Sequence, residues 1–531
     1  MVRRALGRRL ALLLSLPILS ALVTCAPAKP ASVGCEDWVP QAACARLQAV
    51  ANTEAPRYTW AGGERGDVRL SAPGRPHART IGAWTYVVAA PFYTVPDEVS
   101  SAELLAAWKG ERLGPFAEHS LLVSPDTRRV FGTLWGAPAD VDTADGASLL
   151  AECARRGAWA LLPFDELTPG WKVLRVDGVS PLEKGLEKKG ASAVYPLQVP
   201  LALASDTRGD ALARLASLTG PLSNRLEGRM TVLAMTGTSA LTRGTAHLLE
   251  QRGVAYPAQD IRDWLAGADL AHISHEVAFT PDCGPPAAPD SMIFCAHDRY
   301  AALLEAAGVD IVELTGNHLL DYGPAPFLHT LDLYQRRGWR WYGGGRDAEE
   351  ARRPLLMVQG PNRLAFVGCN VPGPVTVWAG ESTPGAARCD VKALRQQIAD
   401  LRAQGYLPIV TLQYLEREGH EPTPQQIADF RGLASAGAAV VQGSSAHWPQ
   451  PMELYQGCFI HYGLGNLFFD QMQSTGTRLE FVDHIVFYEG RLLSVALHTA
   501  TLEEAGRPRP TTPEERRSFL QMIFSLRPGA N

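Results

Sequence analysis

Apolar and polar positions alternate in two rhythms along this chain, and the second half is the more regular. Short apolar runs recur at Met230–Met235, Val309–Thr315, Leu364–Gly368, Pro408–Gln413, Ala438–Gln442 and Phe459–Tyr462. Each has the length and β-branched content of a buried strand. Between them lie segments of helical period: Tyr300–Ala307 stopped by Gly308, Phe327–Arg337 stopped by Gly338, Val391–Gln404 stopped by Gly405, and Gln425–Ser435 ahead of Gly437. Leu394, Ile398 and Leu401 form an i, i+4, i+7 stripe. This β-α-β succession predicts an α/β sheet with helices on both faces.

The first half has a looser pattern of the same class. A strand is expected at Trp84–Ala90 and a helix behind the capping box Ser100-x-x-Glu103. A further helix, Ala147–Arg156, should end at Gly157 and run into the apolar stretch Ala158–Leu162. At the far end Thr512, Pro513 and Glu515 are an N-cap, an N1 proline and a capping box. Phe519 with Ile523, and Leu520 with Phe524, give that last helix an apolar face, which should dock back on the second region.

With 531 residues, two domains are expected. With 20% charged residues and a mean hydropathy of −0.07, the bulk is globular rather than disordered. The formal charge of −5 and pI near 6.2 exclude binding to nucleic acid through a broad basic face. Arg3, Arg4, Arg8 and Arg9 precede an apolar run from Leu10 to Val23, too short to span a bilayer, which needs about 20 residues. That is the pattern of an export signal over residues 1–24. Leu22-Val23-Thr24-Cys25 resembles a bacterial lipobox, in which the cysteine carries the lipid; this implies a membrane-anchored lipoprotein facing the periplasm or cell exterior. Loss of the four arginines takes the 50 basic residues to 46 against 55 acidic ones, a mature charge of −9.

Nine cysteines then become one anchor and eight others. Cys35 with Cys44, Cys283 with Cys295, and Cys369 with Cys389 are near neighbours and the preferred pairs, while Cys153 and Cys458 are expected as buried thiols. The expected layout is a tether over 25–60 with a small disulfide loop, a smaller α/β domain over 61–205, the main domain over 228–500, and a tail with its helix over 501–531.

Candidate chemistry sits just beyond the strands, where α/β folds place their sites. Val309–Thr315 empties into Gly316-Asn317-His318 and Asp321-Tyr322-Gly323; Ala438–Gln442 into GSSAHWPQP, with Ser445 and His447; Phe459–Tyr462 into GLGNLFFD, with Asn466. Ser274-His275-Glu276 sets a carboxylate in a short polar break. An asparagine can offer a carbonyl oxygen to a metal, and a histidine can move a proton. His275, His297, His329 and His420 have no assigned role.

LTGNHLLDYG (314–323), WYGGGRDAEEARRP (341–354), GSSAHWPQP (443–451) and HYGLGNLFFD (461–470) resemble, in order and spacing, segments of the CapA family of capsule and poly-γ-glutamate synthesis proteins. The resemblance implies a metallophosphatase-like layered α/β fold and a site formed by His318, Asp321 and Glu276 as catalytic groups. It implies Asn317 and His447 as ligands of a divalent metal, and Gln413, Glu416, Ser445 and Asn466 as binding groups. Against the family pattern, Thr238 stands for an aspartate, Ser274 for an asparagine, and Gln413 and Ser445 for histidines, which thins a two-metal centre. The implied partners are an anionic polypeptide or glycan of the envelope, or its synthase complex. The implied activity is metal-assisted hydrolysis; the alternative is a non-catalytic scaffold with a degenerate cleft. The stretches 86–110 and 161–181, with Tyr195-Pro196-Leu197, are similar to phosphate-type periplasmic binding proteins, which implies a smaller binding-protein-like α/β domain in front. Read alone, that region would make the chain a transporter's solute-binding component.

Overall fold

The computed structural model describes residues 29–186, 195–206, 210–288 and 290–528, so the expected signal segment and Cys25 lie outside the described residues. The chain divides into two compact units, one of residues up to Ile81 with Ala202–Gly220, the other of Gly82–Leu201 with everything from Pro221 onward.

In the first unit the strand Ala31–Cys35 pairs in parallel with Tyr58–Trp60 on one side and Val68–Ser71 on the other. Residues Ala202–Ala204 add an antiparallel neighbour to the latter. The segment expected as a tether is therefore folded. The Cys35–Cys44 disulfide fastens its strand to the helix Gln41–Thr53, which buries Ala43, Leu47 and Ala51. Those small residues pack as a helix face, a signal that the Ala- and Pro-rich composition masked.

In the second unit the front region forms as patterned. The strand Arg79–Pro91 pairs antiparallel with Trp159–Pro163, which in turn lies parallel to Leu121–Val123. Ser100 and Glu103 close the capping box on Ser101–Trp108, and Gly157 ends Leu149–Arg156 in the left-handed conformation.

The remainder of this unit corrects the single-sheet expectation. Met230–Ser239, Leu270–His275, Ile311–Glu313 and Arg340–Tyr342 run parallel in one sheet, extended antiparallel by Leu479–Tyr488, Arg491–Glu503 and Arg507–Pro510. Asn362–Asn370, Leu407–Gln413, Val440–Ser444 and Cys458–His461 run parallel in a second sheet, with Leu355–Gln359 and Met452–Tyr455 as antiparallel edges. Alternate side chains of each sheet point opposite ways. Leu233, Met235, Phe366, Ile409, Phe459, Phe481 and Ile485 meet in one apolar layer between the sheets. Ala271, Ile273 and Val312 face the helices Ala301–Ala307 and Pro324–Arg337. Val367, Val410 and Val441 face Val391–Ala403 and Pro424–Ser435. Each sheet therefore has helices on one face only, and its other apolar face is covered by the opposite sheet. Strands apolar on both faces look alike in sequence whichever partner covers them. The order of layers is helix, sheet, sheet, helix.

The terminal helix Pro513–Ser525 begins with the expected capping box and seats Phe519, Leu520, Ile523 and Phe524 in the inter-sheet layer. The three local disulfides are present, and Cys153 and Cys458 are buried and free. Burial raises both thiols, Cys153 to about 12, so they stay protonated and unreactive in the native state. Protein comprising residues 26–531 should show two titratable thiols after unfolding without reductant and none reacting rapidly when folded; four or more would break the pairing.

Candidate functional site

The parallel strands of both sheets end on the same side, and every candidate group follows one of those ends. Thr238 closes Met230–Ser239, Glu276 follows Leu270–His275, and Asn317 and His318 follow Ile311–Glu313. From the second sheet, Gln413 closes Leu407–Gln413, and Ser445 and His447 follow Val440–Ser444. Two glycines allow the loops to meet. A Cβ on Gly237 would lie 2.0 Å from the Gly465 carbonyl oxygen, and one on Gly316 would lie 2.4 Å from the Glu276 Cβ. Through the first approach Thr238 N–H donates to the Gly465 carbonyl (3.0 Å), and Leu467 N–H donates to that of Thr238 (2.8 Å).

Hydrogen bonds then connect the predicted residues. Gln413 Nε2 donates to Asn317 Oδ1 (3.0 Å), and Asn317 Nδ2 donates to Glu416 Oε1 (3.4 Å), which also accepts from Ser445 Oγ (3.4 Å). Asn466 gives both amide protons to backbone carbonyls, those of His447 and Thr477, so its Oδ1 accepts from His447 Nδ1 at 2.7 Å. His447 thereby aims Nε2 at Glu416, 3.8 Å away. Glu276, Asn317, His318, Gln413, Glu416, Ser445, His447 and Asn466 form one cluster. Glu416 is its outermost member, with its side chain 49% exposed.

Asp321 is turned onto His318. Its Oδ2 accepts from His318 Nδ1 (2.7 Å) and from the Phe294 N–H (2.9 Å), leaving His318 Nε2 as the transferable position. Phe294 packs on the His318 ring at 4.2 Å, beside the Cys283–Cys295 bridge.

Electrostatics bind the group together. Burial opposes charge on His318, but the bond to Asp321 and the fields of Glu276 and Glu416 outweigh it and its pKa is raised. Burial opposes charge on His447 too, and Glu416 and Glu276 again prevail. Glu276 is wholly buried and its pKa is raised by desolvation, which His318 and His447 only partly offset. The adjoining His447 lowers Glu416. Two histidines favoured in the charged form thus stand beside one carboxylate pushed up by burial and one held down by His447, environments set apart as in acid–base sites.

The donor set does not fit a pair of divalent cations. The Thr238 hydroxyl, where a bridging carboxylate would be needed, accepts from the Ser445 N–H (3.1 Å). The oxygen that Asn317 would offer a metal accepts from Gln413. Among the described residues no three His, Cys, Asp or Glu side chains are placed to hold a metal ion. Glu276 Oε2 and Gln413 Oε1 are buried without hydrogen-bond partners among the described residues.

Several groups escaped the sequence reading. Glu313 lies between the sheets, accepting from Thr315 Oγ1 (2.5 Å) and Ser444 Oγ (2.7 Å), with its pKa raised by burial. Asn370 Nδ2 donates to the Thr315 carbonyl (2.8 Å). Arg243, at φ 45°, ion-pairs with the motif's Asp470 (2.6 Å) and covers the Phe294 ring at 4.8 Å. A positive-φ arginine has no sequence signature, whereas Asp470 stood in a recognised motif without a role. His275 is buried beside Phe279, with neither ring nitrogen partnered among the described residues and its pKa lowered by burial to about 3.

Two layered sheets with a histidine–carboxylate cleft at their strand ends define a four-layer α/β domain. Residues 232–471 match the family model of the bacterial capsule synthesis protein PGA_cap. The chain is 21% identical over 319 residues to the capsule biosynthesis protein CapA of Bacillus anthracis, covering 58% of this chain and 77% of that one. The chain spans from 55% to 77% of the length of the curated relatives it matches. Among solved structures it is similar to a 5'-nucleotidase precursor from Thermus thermophilus (14% identity, TM-score 0.32, 56% of this chain and 58% of that one). It is also similar to an ABC-type phosphate transport receptor from Vibrio cholerae (12% identity, TM-score 0.30, 35% and 92%).

The charge network predicts a pattern in histidine titrations followed by NMR. Glu276→Gln should lower the midpoints of both His318 and His447, whereas Asp321→Asn should lower His318 alone. Each folded-state histidine pKa is raised, so this contribution to stability is complete below the unfolded value and fades as pH rises through the folded one. An unchanged His447 midpoint in Glu276→Gln would contradict the shared field.

Proposed function

We propose that the chain is an exported, lipid-anchored protein of capsule or poly-γ-glutamate-type polymer synthesis, export or attachment, whose cleft binds the polymer and processes it by acid–base chemistry. The family domain and the relatives' names support the polymer, and the export pattern of residues 1–25 supports the anchor. No helix among the described residues is long and apolar enough to cross a membrane. The observation that carries the chemistry is His318, fixed through Nδ1 by Asp321 at 2.7 Å beside Glu276 and Glu416. His318 Nε2 gives a proton to a leaving amine or alkoxide, Glu416 and His447 hold the incoming nucleophile, and buried Glu276 supplies the field that favours the charged form of both histidines. With the mature charge at −9, an anionic polymer is held by local hydrogen bonds rather than by bulk attraction.

A second reading is a non-catalytic scaffold, favoured by Gln413 holding Asn317 Oδ1 where the family has a histidine. Residues 26–531 assayed on γ-glutamyl amide and phosphoester substrates should show turnover that falls by about a hundredfold or more in His318→Ala. Calorimetric polymer affinity should change little. Turnover unaffected by the substitution removes His318 from the chemistry; polymer binding with no turnover in the unaltered protein selects the scaffold.

A further inference from the structure

A second cavity, of about 470 Å³, lies within the larger unit and shares no residue with the cleft above. It touches Val232 near the start of the strand that carries Thr238 near its end, six residues and about 20 Å away. Its walls combine the front region, the antiparallel hairpin of the first sheet and the terminal helix.

Two histidines in it have their tautomers fixed by their partners. The Trp264 carbonyl can only accept, so His484 Nε2 carries the proton of that 2.7 Å bond. Burial lowers the pKa of both rings, so both are neutral at pH 7. His484 Nδ1 therefore accepts from His498 Nε2 at 3.2 Å. His498 Nδ1 is left as a lone pair with no partner among the described residues, and its ring lies against Trp264 at 4.8 Å.

Beside it one carboxylate serves two cations. Asp97 is the carboxylate for both Lys172 (2.8 Å) and Arg516 (2.5 Å). Lys172 spends its other donors on the Thr94 and Val95 carbonyls. Arg516 places two N–H groups on Asp97 and one on Thr499 Oγ1, next to His498, and keeps two of its five. The other lining cations are matched, Arg175 by Glu183 (2.6 Å) and Lys184 by Asp269 (2.5 Å), while Asp263 is exposed. The cavity thus offers two cations sharing one carboxylate, with free guanidinium donors on Arg516, a neutral acceptor beside them, and apolar walls at Trp264, Leu497 and Phe524.

We infer that this cavity is a binding site for an N-acylated amino acid with an apolar side chain, free or as the C-terminal residue of a short peptide. The carboxylate meets the free donors of Arg516, the acyl amide N–H donates to His498 Nδ1, and the side chain lies on Trp264 and Phe524. A free amino acid is disfavoured because its ammonium would stand near the Lys172 and Arg516 cations, which share the single carboxylate of Asp97. The volume is several times that of an inorganic oxyanion and within the ordinary range of small-molecule sites.

The test is calorimetry on residues 26–531 with four probes. N-acetyl-L-leucine and acetyl-Ala-Ala-Leu should each bind saturably at one site, and the tighter of the two identifies the free acid or the peptide end as the source. N-acetyl-L-leucine amide, lacking the charge, and N-acetyl-L-proline, lacking the N–H, should each bind about tenfold or more weaker. His498→Phe should weaken N-acetyl-L-leucine similarly while leaving polymer binding at the cleft unchanged, so failure here is separable from failure there. Arg516→Gln also loosens the terminal helix, so its affinity is read only beside its melting temperature. Absence of saturable binding by both carboxylate probes at millimolar concentration overturns the inference, as does equal binding of the amide.

Discussion

Two sheets facing each other across an apolar layer could slide; here buried polar contacts pin them at the end where their parallel strands stop. Glu313 of the first sheet accepts from Ser444 of the second, Asn370 of the second donates to the Thr315 carbonyl after the first, and Gln442 Nε2 donates to the Thr236 carbonyl at 2.9 Å. Each bond is made out of contact with water, where losing a partner would leave a polar group unsatisfied at a cost of roughly 1–3 kcal/mol. The register they set brings Asn317, His318, Gln413 and His447 to one cleft. His272 extends the layer through Tyr342 to Thr411, by bonds of 2.8 and 3.0 Å.

Above this floor the cleft differs from a two-metal centre in kind. Thr238, Gln413 and Ser445 are neutral hydrogen-bonding groups, which the structure uses to tie loops together. The titratable groups that remain are two histidines with raised pKa, Glu276 pushed up by burial and Glu416 lowered by His447. Such a set can move protons and grip amides or hydroxyls without metal ligands.

Much of this was legible in the chain. The strands of the second sheet and the helices on both outer faces showed their periods, and the candidate residues stood at strand ends because glycine-bearing motifs marked those ends. Leu270–His275 was missed because LAHISH carries two histidines that are buried, a combination that reads as polar. The hairpin Leu479–Glu503 was missed because its strands lack the intervening helix that signals the parallel ones. Whether a second sheet or a helix layer covers an apolar face depends on contacts distant in sequence, so the two-sheet stack was not visible. Nor was the 470 Å³ cavity, whose walls come from residues more than 400 positions apart, Phe92 and Phe524 among them.

That this cleft acts through its own histidines and carboxylates rather than through a cation pair is tested most directly by elemental analysis of residues 26–531, purified without chelator and dialysed against manganese and zinc. Well under one equivalent of metal per chain is the expected result. Two equivalents, lost in Asn317→Ala and His447→Ala, would contradict it.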